Sequence, residues 1–440
     1  MASHVKLGVF DLDGVLRGKY VSRDKFEAAA QSGLGFCDVI FGWDSSDALY
    51  DNVRYTGWHT GYPDTHARID LSTKRNVPWE SDTELYLLDL FTANGERLPL
   101  APRNVLQRVI HAAAGQGLEA RMSAEYEFFL FEETPHSVRE KNFTGLRHLS
   151  PGMFGYSILR SSAQAPLMHD LLDQLGAFNI ELEGLHTETG PGVYEAAITV
   201  DNALAAADKG ALFKTAVKEI AMRHGLMACF MAKWNAALPG SGGHLHQSLW
   251  DSTTRQNVFV KPDGSMADAM RYYIAGLLDH LPELMVLYCP TVNSYKRTVA
   301  GTSGPGTWAP VNATWGIDNR TVAVRALPGG VKSGRVELRL PGADMNPYLS
   351  MAASLASGLD GIARRLAPPE PVTNAYKTGI ARPLPSNLLE ATWLFRESAF
   401  ARQAFGDEFV DHYAATREGE WRQYEKSVTN WELERYFEAI

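Results

Sequence analysis

The sequence predicts an α+β protein built largely on antiparallel strands, and three stretches carry that expectation. Ser123-Ala-Glu-Tyr-Glu-Phe-Phe-Leu-Phe131 alternates acids with bulky apolar residues in a run too aromatic for anything but a strand. Gly243-His-Leu-His-Gln-Ser-Leu249 and Gly334-Arg-Val-Glu-Leu-Arg-Leu340 repeat the theme. Residues two apart in a pleated strand share a face. Glu125 and Glu127 therefore stand together, as do His244, His246 and Ser248, and Arg335, Glu337 and Arg339. Any one of these faces could simply show its charges to water. Three of them in one chain are better explained by a shared polar cavity.

Taken in order, residues 5 to 16 hold a strand followed by Asp11-Leu12-Asp13-Gly14. That pattern resembles the nucleophile loop of haloacid-dehalogenase-type phosphatases, where one Asp attacks phosphorus and the next is acid and base. The alternation of apolar strands and helices that such a parallel sheet needs is missing here. Asp-Gly is also a strong turn pair, with Arg17 to Val21 available as the returning strand, so a hairpin is preferred. Residues 22 to 34 read as a helix with Ser22 as N-cap and Gly33 at its end. Strands follow at Ala67 to Leu71 and Glu84 to Phe91. This first α+β unit of about 100 residues closes near Pro99 to Pro102.

From Arg103 to Gly117 an apolar stripe of Leu106, Val109, Ile110 and Ala113 marks a helix leading into the Glu125/Glu127 strand. Thr134 to Pro151 is a polar surface excursion. A helix at Ala165 to Leu175 precedes an alternating strand at Asn179 to Glu183. Gly190-Pro191-Gly192 then turns sharply and brings Glu188 and Glu195 to the ends of adjacent strands. The next helix spans Asn202 to His224, with Asp201 as N-cap, and gives way to a strand from Met227 to Trp234. Pro239 to Gly243 is a glycine loop without the Lys and helix of a P-loop. Arg320, Arg325, Arg335 and Arg339 lie within twenty positions. Arginine holds phosphate and carboxylate bidentately, so this density beside carboxylates suggests transfer chemistry on an anion. Asn346 to Leu366 is a small-residue helix, and the remainder through Glu438 is amphipathic helix.

Composition bounds the partners. Hydrophobic residues at 45% and charged ones at 21% are those of a globular chain. A formal charge of −9 argues against general affinity for nucleic acid or acidic membranes. Cys37, Cys229 and Cys289 are the three cysteines and lack metal-ligand spacing, which fits a reducing cytoplasm and no zinc site. No signal peptide is read at the N-terminus, and no apolar run approaches the ~20 residues of a membrane span.

The motifs together are highly specific. Ala124-Glu-Tyr-Glu-Phe-Phe-Leu-Phe, Glu188-Thr-Gly-Pro-Gly-Val-Tyr-Glu195, Gly240-Ser-Gly-Gly-His-Leu-His-Gln-Ser-Leu249, Asn293-Ser-Tyr-Lys-Arg297 and Gly334-Arg-Val-Glu-Leu-Arg-Leu-Pro, with Asn346-Pro-Tyr-Leu, make the chain resemble the glutamine synthetase family over nearly its whole length. The resemblance implies an N-terminal β-grasp domain over residues 1–101 and a catalytic domain over residues 102–440 that binds ATP and glutamate on an open, curved antiparallel sheet. It also implies homo-oligomers, hexameric rings or stacked dodecamers, with sites between neighbouring subunits.

By the same resemblance, Glu127, Glu188 and Glu195 match the ligands of one divalent cation, and Glu125, His244 and Glu337 those of a second. Carboxylate-rich sets suit Mg²⁺ or Mn²⁺. Glu183, His246, Ser248, Arg325 and Arg335 match nucleotide contacts. Gly240, Arg297 and Arg339 match contacts to glutamate, and Arg320 a stabiliser of the transferring phosphoryl group. The implied reaction is attack of the glutamate γ-carboxylate on ATP, then displacement of phosphate by a nitrogen nucleophile.

Here the sequence departs from the family pattern. Ammonia-using members carry a Glu in the flap after Asn-Ser-Tyr-Lys-Arg, whereas this flap runs Thr298-Val-Ala-Gly-Thr-Ser-Gly-Pro-Gly306 and holds no acid. Ser303 falls about where the Glu would be. An ammonium pocket loses attraction and gains room for a substituent. The expected enzyme therefore joins glutamate to an organic amine, a polyamine or monoamine, with ammonia-using glutamine synthetase as the alternative. Asp44 or Asp47, in the loop that completes a neighbour's site in the family's rings, is available to hold the amine's charge. No Tyr stands in Arg382 to Leu388, where some bacterial members are adenylylated.

Overall fold

The computed structural model describes residues 3–298, 308–376 and 381–440. β1 (His4–Phe10) and β2 (Leu16–Val21) pair antiparallel, with Phe10 opposite Leu16, around the Asp-Gly turn. The Asp11 carboxylate accepts the Asp13 and Val15 N–H groups at 3.0 and 2.9 Å and Arg17 Nε at 2.8 Å. A buried acid committed to a turn and an ion pair is no phosphorus nucleophile, which disposes of the phosphatase reading. α1 (Arg23–Ser32) starts at Ser22, whose Oγ accepts Lys25 N–H at 3.2 Å, and ends at Gly33, where φ is 76°. β3 (Leu34–Cys37), β4 (Asp64–Asn76) and β5 (Thr83–Phe91) complete a five-stranded sheet in the order β2-β1-β5-β4-β3, with β1 and β5 parallel.

α2 (Pro102–Gly115) begins with a buried tie between this sheet and the rest of the chain. Arg103 bonds Asp70 on β4 at 2.8 Å, Asp89 on β5 at 2.6 Å and Asp208 at 2.9 Å. Then comes β6 (Leu118–Phe131), the strand around which the second sheet is assembled. α3 (Pro135–Glu140) sits within the predicted surface excursion, and α4 (Ile158–Ala163) and α5 (Ala165–Ala177) follow it. β7 (Leu182–Thr187), β8 (Val193–Ile198) and the short β9 (Asp201–Asn202) lead into α6 (Ala203–Arg223) and β10 (Met227–Cys229). β11 (Gly243–Asp251), α7 (Asp268–Tyr288), α8 (Tyr295–Thr298), β12 (Trp315–Ile317), β13 (Val324–Leu327), β14 (Arg335–Leu338) and α9 (Pro347–Arg364) precede four C-terminal helices, from Leu388–Glu397 to Asn430–Tyr436.

The second sheet has nine strands. Seven run in the order β12-β13-β14-β11-β6-β8-β7, and β9 and β10 also pair with β6. Every pairing is antiparallel except β12 with β13. One face of β6 makes the core: Tyr126, Phe128 and Leu130 are fully buried, with Tyr126 stacked on Phe213 of α6 at 5.5 Å and Phe128 on Phe230 at 5.2 Å. Each such ring contributes roughly 1.5–3 kcal/mol of burial, which pins the register of β6. The alternation then forces Glu125 and Glu127 onto the opposite face.

Three local expectations shift. The strand expected at Asn179 to Glu183 starts at Leu182, because Asn179 (φ 62°) and Ile180 close the end of α5, their N–H groups bonding Gly176 O and Leu175 O at 2.9 and 2.8 Å. Asn202, not Asp201, caps α6 by accepting Ala205 N–H at 3.1 Å, while Asp201 holds Lys209 at 3.1 Å. β10 stops at Cys229 rather than Trp234, since the chain leaves the ladder and Lys233 N–H bonds Asn293 Oδ1 at 2.9 Å. Among the described residues no helix is long and apolar enough to cross a membrane.

Candidate active site

The registers that build the core also collect the charges. His244 lies opposite Glu125, Glu195 opposite both Glu127 and His186, and Glu337 opposite both His246 and Arg325. His244 Nδ1 is 2.9 Å from Glu125 and 3.6 Å from Glu337, and His246 Nε2 is 3.5 Å from the other Glu125 oxygen. His186 Nε2 is 3.4 Å from Glu195. Glu188 sits at the tip of the β7–β8 hairpin, where its N–H bonds Val193 O at 3.0 Å.

The carboxylates respond differently to this crowding. Burial pushes the Glu125 carboxyl up, but the His244 and His246 imidazoles outweigh it and hold Glu125 well below the usual range. Glu337, only 1% exposed, is likewise pushed up by burial yet brought down to about 2 by Arg339, His246 and His244. Glu195 has no such compensation. Burial, then the negative charges of Glu125, Glu127 and Glu188, raise it from 4.5 to about 9, with Arg339 opposing too weakly to prevent it. A site that must protonate one of its own acids has more negative charge than its fixed cations can balance.

That imbalance fits divalent cations, as does the donor chemistry. Ligand atoms of Glu125, Glu195 and His244, of Glu125, His246 and Glu337, and of His186, Glu188 and Glu195 each lie within 4.8 Å of one another. Oxygens with one imidazole are what Mg²⁺ or Mn²⁺ accepts. The grouping differs in detail from the expected one. Glu127 joins none of the three sets, and its Oε2 accepts Gly242 N–H at 2.6 Å. His246, expected at the nucleotide, shares Glu125 and Glu337 with His244.

The arginines brace these acids. Arg325 Nη1 donates to Glu337 at 2.8 Å, Arg339 Nη1 donates to the other Glu337 oxygen, and Arg335 Nε donates to His246 Nδ1 at 3.1 Å. Arg297 is buried, with Nη1 on Leu340 O at 2.9 Å and Nη2 on Arg339 O at 3.2 Å, and burial lowers its pKa despite Glu127 nearby. The backbone passes so close that glycine is required. A Cβ on Gly240 would come within 2.6 Å of Ala232 O and 2.9 Å of Arg297 Cγ, and one on Gly242 within 2.6 Å of His244 Nε2. Arg320 is exposed; burial lowers the pKa of His186 and raises that of Tyr156, and the Arg320 charge pulls on both more weakly, in the downward direction.

Beside the acids opens a cavity of about 630 Å³ whose lining includes Glu183, His246, Ser248 and Arg335, with Glu125 at the junction. Four of the five residues expected at the nucleotide thus share one cavity; the fifth, Arg325, is not in its lining and is bound instead to Glu337. Two expected residues stand apart. Asp44 belongs to the loop between β3 and β4, where its carboxylate accepts Ser46 and Ala48 N–H groups at 2.8 and 3.0 Å, and Asp47 accepts Arg17 at 2.7 Å. Neither touches the cluster within one chain. Ser303 and the flap at Ala300 to Gly306 lie outside the described residues.

Sequence reasoning overlooked His186 and Tyr156. His186 shares a strand face with Glu188, a two-residue spacing that could have flagged it. Tyr156 stacks on His186 at 4.4 Å with 9° between the rings, and no local pattern announces it.

Comparisons with known proteins find matches over nearly the whole chain. The model of the glutamine synthetase catalytic domain matches residues 99–436. The chain is 48% identical to type-1 glutamine synthetase 2 of Dictyostelium discoideum, across 99% of this chain and 84% of that protein. It is 42% identical to glutamate–isopropylamine ligase of a Pseudomonas species, across 99% and 95% of the two chains. Among solved structures it superposes on a GmaS/ADP complex with a TM-score of 0.87 and 28% identity, covering 99% of this chain and 97% of the other.

Proposed function

Because this chain belongs to the glutamine synthetase family, we propose that it is an ATP-dependent ligase joining the γ-carboxylate of L-glutamate to an organic amine. The observation that carries the reading is the convergence of Glu125, Glu188, Glu195, Glu337, His186, His244 and His246 on one sheet face, beside a cavity of nucleotide size. The flap sequence directs the reading to an amine, since Thr298 to Gly306 contains no acid to hold ammonium. The relative that ligates isopropylamine supports the same choice.

In the proposed reaction a γ-carboxylate oxygen attacks the γ-phosphorus of ATP, the bond to ADP breaks, and γ-glutamyl phosphate forms. The amine nitrogen then attacks the acyl carbon, phosphate departs with the bridging oxygen, and the nitrogen loses a proton. Two divalent cations, Mg²⁺ or Mn²⁺, would be held by Glu125, Glu127, Glu188, Glu195, His244 and Glu337 and would neutralise charge between the two anionic substrates. Glu183, His246, Ser248, Arg325 and Arg335 position the nucleotide. Gly240, Arg297 and Arg339 hold glutamate. Arg320 faces the transferring phosphoryl group, where a fixed cation is worth most. Ser303 leaves room for the amine's substituent, and Asp44 or Asp47 of a neighbouring subunit in a cytoplasmic ring offers it a counter-charge.

Ammonia-using glutamine synthetase is the second reading, favoured by the Dictyostelium relative's name. ADP release measured with glutamate, ATP, Mg²⁺ and a panel of amines separates the two. Organic amines should exceed ammonia at equal concentration, and ammonia outpacing every amine would overturn the proposal.

A further inference from the structure

The segment at residues 153–159 places large apolar side chains in solvent beside the end of β7 that leads into Glu188. Met153 is 44% exposed, Phe154 49%, Tyr156 64%, Ile158 78% and Leu159 79%. Monomeric surfaces rarely gather so many without a use. The segment is fixed to the site through Thr187. Tyr156 N–H donates to Thr187 O at 2.7 Å, Ser157 N–H donates to Thr187 Oγ1 at 2.9 Å, and that hydroxyl donates to Phe154 O at 2.9 Å. Gly155 lies against Thr189, to whose Oγ1 a Cβ would approach within 3.1 Å. Tyr156 stacks on His186, itself 3.4 Å from Glu195. The apolar lip is thus one side chain away from the acids.

The charge on this lip is as informative as its hydrocarbon. From Gly152 to Gln164 there is no acid, and the one ionic group is Arg160, held 4.5 Å from the Phe154 ring. A primary amine whose substituent is hydrocarbon can lay that substituent on Phe154, Ile158 and Leu159. Along residues 152–164 the second ammonium of a polyamine would meet one guanidinium and no carboxylate, the acids beyond Tyr156 being those that would hold the cations. We propose that residues 153–159 form the substituent-binding surface for the amine and select an apolar monoamine over a polyamine. This rests on the reading that an organic amine is the nucleophile.

Specificity constants for methylamine, ethylamine, propylamine and butylamine test it, with 1,3-diaminopropane as the doubly charged match to butylamine. A methylene buried on the lip contributes about fourfold to kcat/KM. The wild-type enzyme should gain roughly that factor per carbon, and the diamine should lose most of the gain. Ile158→Ser with Leu159→Ser, both on solvent-facing positions, should flatten the series to within about twofold per carbon. A diamine outperforming butylamine, or a series that the double variant leaves steep, overturns the proposal. So does a fall in molecular mass by light scattering with the amine profile intact, which would make the lip a contact between subunits. Amine-dependent ADP release with no chain-length dependence defeats the lip alone. No release with any amine defeats the ligase reading beneath it.

Discussion

Glu195 supplies a quantitative consequence of the charge imbalance. In the metal-free protein its carboxyl is raised from 4.5 to about 9, first by burial and then by Glu125, Glu127 and Glu188. At about pH 7.5 such a group is ~97% protonated. A carboxylate must ionise to ligate, so binding Mg²⁺ or Mn²⁺ should expel close to one proton per subunit, and apparent affinity should rise about tenfold per pH unit up to pH 9. Calorimetric titration in two buffers of different ionisation enthalpy measures that proton directly. Glu195→Gln should abolish the release and weaken binding, whereas Glu132→Gln, outside the cluster, should change neither. The same shift sets the stability of the metal-free fold. With its pKa raised on folding, Glu195 contributes stability that is fully present below about pH 4.5 and lost as pH rises through 9. Thermal midpoints should therefore decline with pH without metal and recover with it. Metal binding that expels no proton at pH 7.5, in wild type as in Glu195→Gln, would refute the reasoning.

Other perturbations have defined outcomes. Glu337→Ala leaves Arg325 and Arg339 without the buried acid they share, which should cost about 3–5 kcal/mol in denaturant titration and abolish ADP release. Glu337 stays ionised down to about pH 2, so its contribution in the wild type is present above about 4.5 and fades only as pH falls through 2. Arg103→Ala should cost a similar 3–5 kcal/mol, because Asp70, Asp89 and Asp208 lose their common partner, and should loosen the first sheet before the second in hydrogen exchange. Asn346→Ala removes the cap of α9 and the bonds from Nδ2 to Asp11 O and Leu12 O at 3.0 and 3.2 Å, a loss of about 1–3 kcal/mol readable as a lower midpoint in urea. Ser303→Glu returns an acid to the flap and should raise kcat/KM for ammonia about tenfold or more while lowering it for bulkier amines.

What could be read from the sequence was what a single strand encodes. The alternation in Ser123 to Phe131 gave away both faces of β6, because its aromatic side has one place to go and the acids must take the other. The hairpin at Asp13-Gly14 and the cap at Ser22 were legible for the same reason, each being settled within a few residues. The shared polar cavity was legible too, but which residues pair across its strands was not. Glu195 opposite Glu127 and His186 is a matter of register across β6, β7 and β8, and the bulge between Leu182 and Gly184 alters that register locally. The choice of Gly242 N–H as partner for Glu127 depends on how the loop before β11 enters the sheet. Tyr156 reaches His186 from a segment thirty positions earlier, so its place in the site is a tertiary fact with no sequence signature.

The chemistry itself can be followed in one tube. Glutamate labelled with ¹⁸O in the γ-carboxylate is supplied with ATP, Mg²⁺, and propylamine and ammonia at equal concentration, and mass spectrometry reads the products. The account predicts γ-glutamylpropylamide in excess over glutamine, with one labelled oxygen carried into each phosphate released. Glutamine in excess would contradict the amine assignment, and unlabelled phosphate would contradict the γ-glutamyl phosphate route.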